Sequence, residues 1–96
     1  MAKILIADDH RANREALAAL LETAGHYVLV ANDGKAALDL AREHKPEHLI
    51  SDVLMPGMDG YELARRLKLE PQGDAVSVMF YTAYFKKGAD AGKRPV

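Results

Sequence analysis

The sequence predicts an α/β protein built on a doubly wound parallel sheet with helices on both faces. Three observations carry that prediction. Short apolar runs recur at residues 3–7, 27–31, 49–51 and 76–81. Segments with apolar residues at helical spacing separate them. Two of the runs lead straight into acid: Lys3-Ile4-Leu5-Ile6-Ala7 into Asp8-Asp9, and His48-Leu49-Ile50-Ser51 into Asp52. Such a run reads as a buried parallel strand that delivers carboxylates to its carboxyl end. In open α/β sheets ligands bind at that end. Strands separated by helices of about ten residues imply right-handed crossovers, which place helices on both faces.

Each element has its own local reason. Residues 3–7 form the first strand. Leu17, Leu20, Leu21 and Ala24 then recur at helical spacing, and Gly25 stops that helix. Tyr-Val-Leu-Val-Ala at 27–31 is the second strand. Asp33 can cap a helix through roughly His44, with Ala37, Leu40 and Ala41 on one face, and Pro46 ends that region. Residues 49–51 form the third strand. The following loop, 53–58, holds Pro56 and Gly57. Asp59 can cap a helix to about Leu69, buried through Leu63, Ala64 and Leu67. Pro71-Gln72-Gly73-Asp74 reads as a turn. Residues 76–81 are the fourth strand, and Thr82 follows it. The segment 83–96 has two glycines, a proline and four Lys/Arg, with Tyr84 and Phe85 its only large apolar groups. It reads as an irregular tail.

Composition limits the function. Ninety-six residues make one small domain. A hydrophobic fraction of 49% with 28% charged residues is ordinary for a globular chain. A formal net charge of -1 argues against direct nucleic-acid binding and against an anionic membrane surface as partner. With no cysteine there is no disulfide, thiolate metal site or thiol nucleophile. The apolar runs are too short to span a bilayer, and the N-terminus lacks a signal-peptide layout. The expected compartment is the cytoplasm.

Three carboxylates converging at Asp8, Asp9 and Asp52 repel one another. A bound divalent cation or a proton held on one of them relieves this. Asp33 and Asp59 are read as helix caps. His10, His26, His44 and His48 lack metal-ligand spacing and are read as surface or loop residues, His10 alone lying beside the acidic pair. Met55 and Met58 are read as packing and loop residues, Arg65-Arg66 as a solvated helix face, and Lys86, Lys87, Lys93 and Arg94 as part of a solvated tail.

Asp8-Asp9 after the first strand, Asp52-Val-Leu-Met-Pro-Gly-Met-Asp-Gly60 after the third, and Thr82-Ala83 after the fourth together resemble the receiver domain of bacterial two-component response regulators. The resemblance covers about residues 1–83. It implies a flavodoxin-like receiver fold and a phosphoacceptor role in a phosphorelay. Asp52 would be the nucleophile that takes a phosphoryl group from a sensor histidine kinase or phosphotransfer protein. Asp8 and Asp9, with Asp52 and the backbone carbonyl of Leu54, would hold Mg²⁺. The hydroxyl of Thr82 would contact the phosphoryl group. Such a domain is not an enzyme in the ordinary sense; it catalyses only its own Mg²⁺-dependent phosphorylation and dephosphorylation, and signals by changed contacts with a downstream protein. The chemistry agrees: a carboxylate is an adequate nucleophile when held in line with phosphoryl charge neutralised. Mg²⁺ prefers oxygen ligands and keeps several waters.

The resemblance also implies a fourth helix, a fifth strand ending in Lys-Pro and a last helix. Here those parts read as missing or degenerate. Gly88-Ala89-Asp90 and Lys93-Arg94-Pro95 are only distorted echoes of them. The expected organisation is a receiver core at 1–83 with an irregular tail at 84–96. Without the final elements, the fourth strand becomes an exposed edge and one sheet face lacks a helix, so a homodimer or larger oligomer is expected. The alternative function is a non-switching receiver that serves as a dimerisation or scaffold unit. An aspartate-nucleophile phosphohydrolase would commonly place an acid two residues past the nucleophile. Leu54 occupies that position and transfers no proton.

Overall fold

The computed structural model describes residues 1–82. In chain order they form β1 (Lys3–Ala7), α1 (Arg11–Thr23), β2 (Tyr27–Ala31), α2 (Gly34–His44), β3 (His48–Asp52), α3 (Gly60–Lys68), a 3-10 turn at Gly73–Ala75 and β4 (Ser77–Tyr81). All strand pairs are parallel, in the order β2-β1-β3-β4. The chain starts in the middle, steps left to β2, then crosses back over β1 to β3 and β4. Right-handed crossovers therefore set α1 on one face and α2 and α3 on the other. This is the doubly wound arrangement the run pattern predicts.

The α2/α3 face carries the main core. Leu5, Ala7, Ala31 and Leu49 of the sheet pack with Ala37, Leu38 and Ala41 of α2 and Leu63 and Leu67 of α3. Strand alternation sends Ile4 and Ile6 to the opposite face, where both are buried. The helices on the core side are capped as expected: Asp33 accepts from the Ala36 amide at 2.8 Å and Asp59 from the Glu62 amide at 2.8 Å. α2 ends at Lys45, which turns left-handed with φ 50° and donates to the Ala41 carbonyl. Pro46 comes after that stop.

The structure departs from the expected boundaries at three places. β3 is longer than residues 49–51, because His48 pairs with Ile4 and Ser77, and Asp52 with Tyr81. Asp52 is thus the last rung of the strand. β4 starts at Ser77, since the 3-10 turn carries the chain through Ala75. Ala64 of α3 is only half-buried. No residue of α1 is fully buried, and Leu20 is 67% exposed. The helix packs over β2 and β1, which leaves the side of its apolar stripe toward β3 and β4 uncovered among the described residues. β4 is an edge among the described residues. The expected tail at 84–96 lies outside them.

Candidate functional site

The sheet register builds the site. Ala7 pairs with Ser51, so one further rung sets Asp8 beside Asp52, and Asp52 itself pairs with Tyr81. Side chains alternate along a strand, so Asp8 shares the face of Ile6, and Asp52 and Tyr81 the face of Ile50 and Met79. Asp8 remains tied into the sheet through its amide, which donates to the Ala31 carbonyl at 3.2 Å. Asp8 and Asp52 are fully buried. Asp9 and His10 turn outward, with 24% and 48% of their side chains exposed.

One ligand atom from each of Asp8, Asp9, His10 and Asp52 can be chosen so that all lie within 4.8 Å of one another. The three acids singled out from sequence are therefore brought together. His10, read there as a surface or loop residue, joins them. Its backbone amide donates to Asp8 Oδ1 at 2.8 Å, and its ring Nδ1 lies 3.1 Å from Asp9 Oδ1. Arg14, one turn into α1, donates from Nη1 to the Asp8 carbonyl at 2.9 Å. Across the sheet, the Tyr81 hydroxyl donates to Asp8 Oδ2. Burial, then the Asp8 hydrogen bond and the charges of Asp8, Asp52 and Asp9, push that hydroxyl far above the usual tyrosine range. It remains a donor.

The loop after β3 is shaped to frame Asp52. The Leu54 amide turns back to donate to Asp52 Oδ1 at 3.2 Å. Val53 donates to the Tyr81 carbonyl and Gly60 to the Val53 carbonyl, each at 2.9 Å. Gly57 adopts φ 78°, a conformation that favours glycine. Gly60 opens α3 hard against β3: a Cβ there would collide with the Asp52 carbonyl oxygen. The Ser51 hydroxyl also donates to that carbonyl, at 2.9 Å. Thr82 follows Tyr81 directly, at the carboxyl end of β4. The candidate residues thus all fall at one end of the sheet, on loops and rungs that a rigid core positions.

The donor set suits a hard divalent cation. Three carboxylates from two backbone segments, Asp8 and Asp9 after β1 and Asp52 at the end of β3, offer oxygens, and Mg²⁺ takes a few such ligands while keeping water in its remaining positions. A cation would also offset the mutual repulsion of the acids. Tyr81 is the functional neighbour that sequence reasoning passed over. Its signal was its register: it ends β4 on the face shared with Asp52, immediately before Thr82.

Comparison with known proteins agrees with this geometry. The profile of the response regulator receiver domain matches residues 4–92. Protein PilH of Pseudomonas aeruginosa is 39% identical over 82 residues, spanning 85% of this chain and 68% of PilH. Response regulator MprA of Mycolicibacterium vanbaalenii is 41% identical over 81 residues, spanning 84% of this chain and 34% of MprA. The chain thus corresponds to about a third of that relative. Among solved structures, the Vibrio cholerae chemotaxis protein CheY4 superposes with a TM-score of 0.81 at 32% identity, covering 96% of this chain and 79% of that one. A putative response regulator from Chloroflexus aurantiacus gives 0.78 at 35% identity, covering 82% and 65%.

Proposed function

The chain belongs to the response regulator receiver domain family, and from that premise we propose that it is a phosphoacceptor switch in a two-component phosphorelay, with Asp52 as the acceptor. The observation that supports this most is the convergence of Asp8, Asp9 and Asp52 at one end of the parallel sheet. Asp8 and Asp9, with Asp52 and the Leu54 carbonyl, would hold Mg²⁺. Bound there, the ion would offset charge on the phosphoryl oxygens.

This chain's residues do the rest. An Asp52 carboxylate oxygen forms a bond to phosphorus while the bond from phosphorus to the donor's imidazole nitrogen breaks. The electron pair stays on that nitrogen, which takes up a proton. The Leu54 amide, already on Asp52 Oδ1, limits the carboxylate's rotation. The Thr82 hydroxyl donates to a phosphoryl oxygen. The donor is a histidine kinase or phosphotransfer protein, the compartment is the cytoplasm, and output passes through changed contacts with a further protein. The receiver core at 1–83 is the part that carries this chemistry.

Incubation with Mg²⁺ and acetyl phosphate, followed by intact mass, tests the reading. The expected result is a phosphoryl-sized gain in the wild type, absent without Mg²⁺ and absent in Asp52→Asn. No gain in the wild type, or an equal gain in Asp52→Asn, would refute it.

A further inference from the structure

Tyr81 reaches the acidic cluster from two strands away. β4 and β1 flank β3, so at about 4.8 Å per strand spacing the Tyr81 and Asp8 side chains together bridge roughly 10 Å of sheet. Few side chains of this length end in a neutral donor. The route crosses the rung of Asp52, which pairs with Tyr81. Tyr81 lines one side of an open apolar groove of about 430 Å³ between α1 and the sheet, with Leu17, Ile50 and Met79.

From this placement we propose that Tyr81 is a positioning residue of the cation site, its hydroxyl holding the buried Asp8 carboxylate in the orientation that a divalent cation requires. The inference rests on the reading of the acidic cluster as that site. The two Asp8 oxygens take donors from opposite sides: Oδ1 from the His10 amide in the loop, Oδ2 from Tyr81 across the sheet. The donors stop the carboxylate from rotating. Hydrogen-bonded partners of metal ligands act in this way, and their loss typically costs 10–100-fold in metal affinity.

The test titrates Mg²⁺ alone into the full chain by calorimetry, comparing wild type, Tyr81→Phe and Tyr61→Phe. Tyr61 pairs edge to face with Phe80, its ring centroid 4.8 Å away, and serves as the control hydroxyl. Tyr81→Phe is expected to bind about tenfold more weakly, and Tyr61→Phe to match the wild type. A second readout needs no change at position 81. In wild-type protein with labelled tyrosine rings, the resonance of the Tyr81 hydroxyl-bearing carbon should move saturably with Mg²⁺, at the concentration where calorimetry shows binding. A purely structural tyrosine would not move. Affinity of Tyr81→Phe within twofold of the wild type, tighter binding, or a Tyr81 resonance unmoved at saturation would overturn the inference and leave the cation site standing. A wild type with no saturable Mg²⁺ binding would overturn the cation site and the inference together.

Discussion

Asp8 is where the contacts of the site meet. It is buried, its carboxylate takes donors from His10 and Tyr81, and its carbonyl takes one from Arg14. Asp8→Ala should therefore cost more in Mg²⁺ affinity than loss of a supporting partner: over about a hundredfold, read by calorimetry. The surface acids behave differently. Hydrogen bonds from Arg65 and Arg66 depress the Glu62 carboxyl from 4.5 to about 2. Arg11 and Arg42 lower Glu15 and Glu70 in the same direction. A carboxyl depressed on folding adds stability that is present above its unfolded value and is lost as pH falls through the folded one. Thermal melts should thus drop between pH 4.5 and about 2, and Glu62→Gln should flatten part of that drop. Added salt should weaken the effect, because these pairs are solvent-exposed. A melting curve unchanged by Glu62→Gln across that range would show that the pair adds nothing. At this scale Asp8, Asp9 and Asp52 were legible in the sequence because strand-end acids form a local pattern. Tyr81 and His10 were not, since their roles depend on which strands become neighbours and on how a loop turns.

Helix ends and one close approach hold the elements in place. The Asp33 and Asp59 caps each satisfy an amide that the helix leaves unpaired. Replacing either with alanine should cost about 1 kcal/mol, measured by urea unfolding. Gly60 does more than begin α3. With no side chain, it lets the helix start against the Asp52 carbonyl, so the helix N-terminus and β3 share one contact. Gly60→Ala should destabilise by about 1–3 kcal/mol, because the obstacle is backbone and cannot rotate away. An urea midpoint equal to the wild type would contradict that contact. The elements themselves were readable from short local signals: apolar runs, capping acids and a stop at Gly25. Their ends were less so. The last rung of β3 and the first of β4 are set by pairing with neighbours, His48 with Ser77 and Asp52 with Tyr81, and the residues alone do not show that pairing.

Among the described residues, a well-filled face is joined to a sparsely filled one. Leu5 and Leu49 of the sheet pack tightly against α2 and against Leu63 of α3, while Leu20 of α1 and Met79 of β4 are 67% and 62% exposed. An edge strand with exposed apolar side chains favours association. We expect self-association at high micromolar concentration, and Met79→Lys should reduce it. Light scattering showing a monomer throughout would rule this out. The parallel topology followed from the alternation of runs and helices. The uneven filling of the two faces depends on which residues meet across the sheet. The central claim, that this sheet end makes Asp52 a phosphoryl acceptor, is tested most directly by site mapping. Protein treated with Mg²⁺ and acetyl phosphate would be reduced with borohydride, which converts an aspartyl phosphate to homoserine, and its peptides sequenced by mass spectrometry. The account predicts homoserine at position 52 alone. Conversion at Asp8 or Asp9, or none at all, would contradict it.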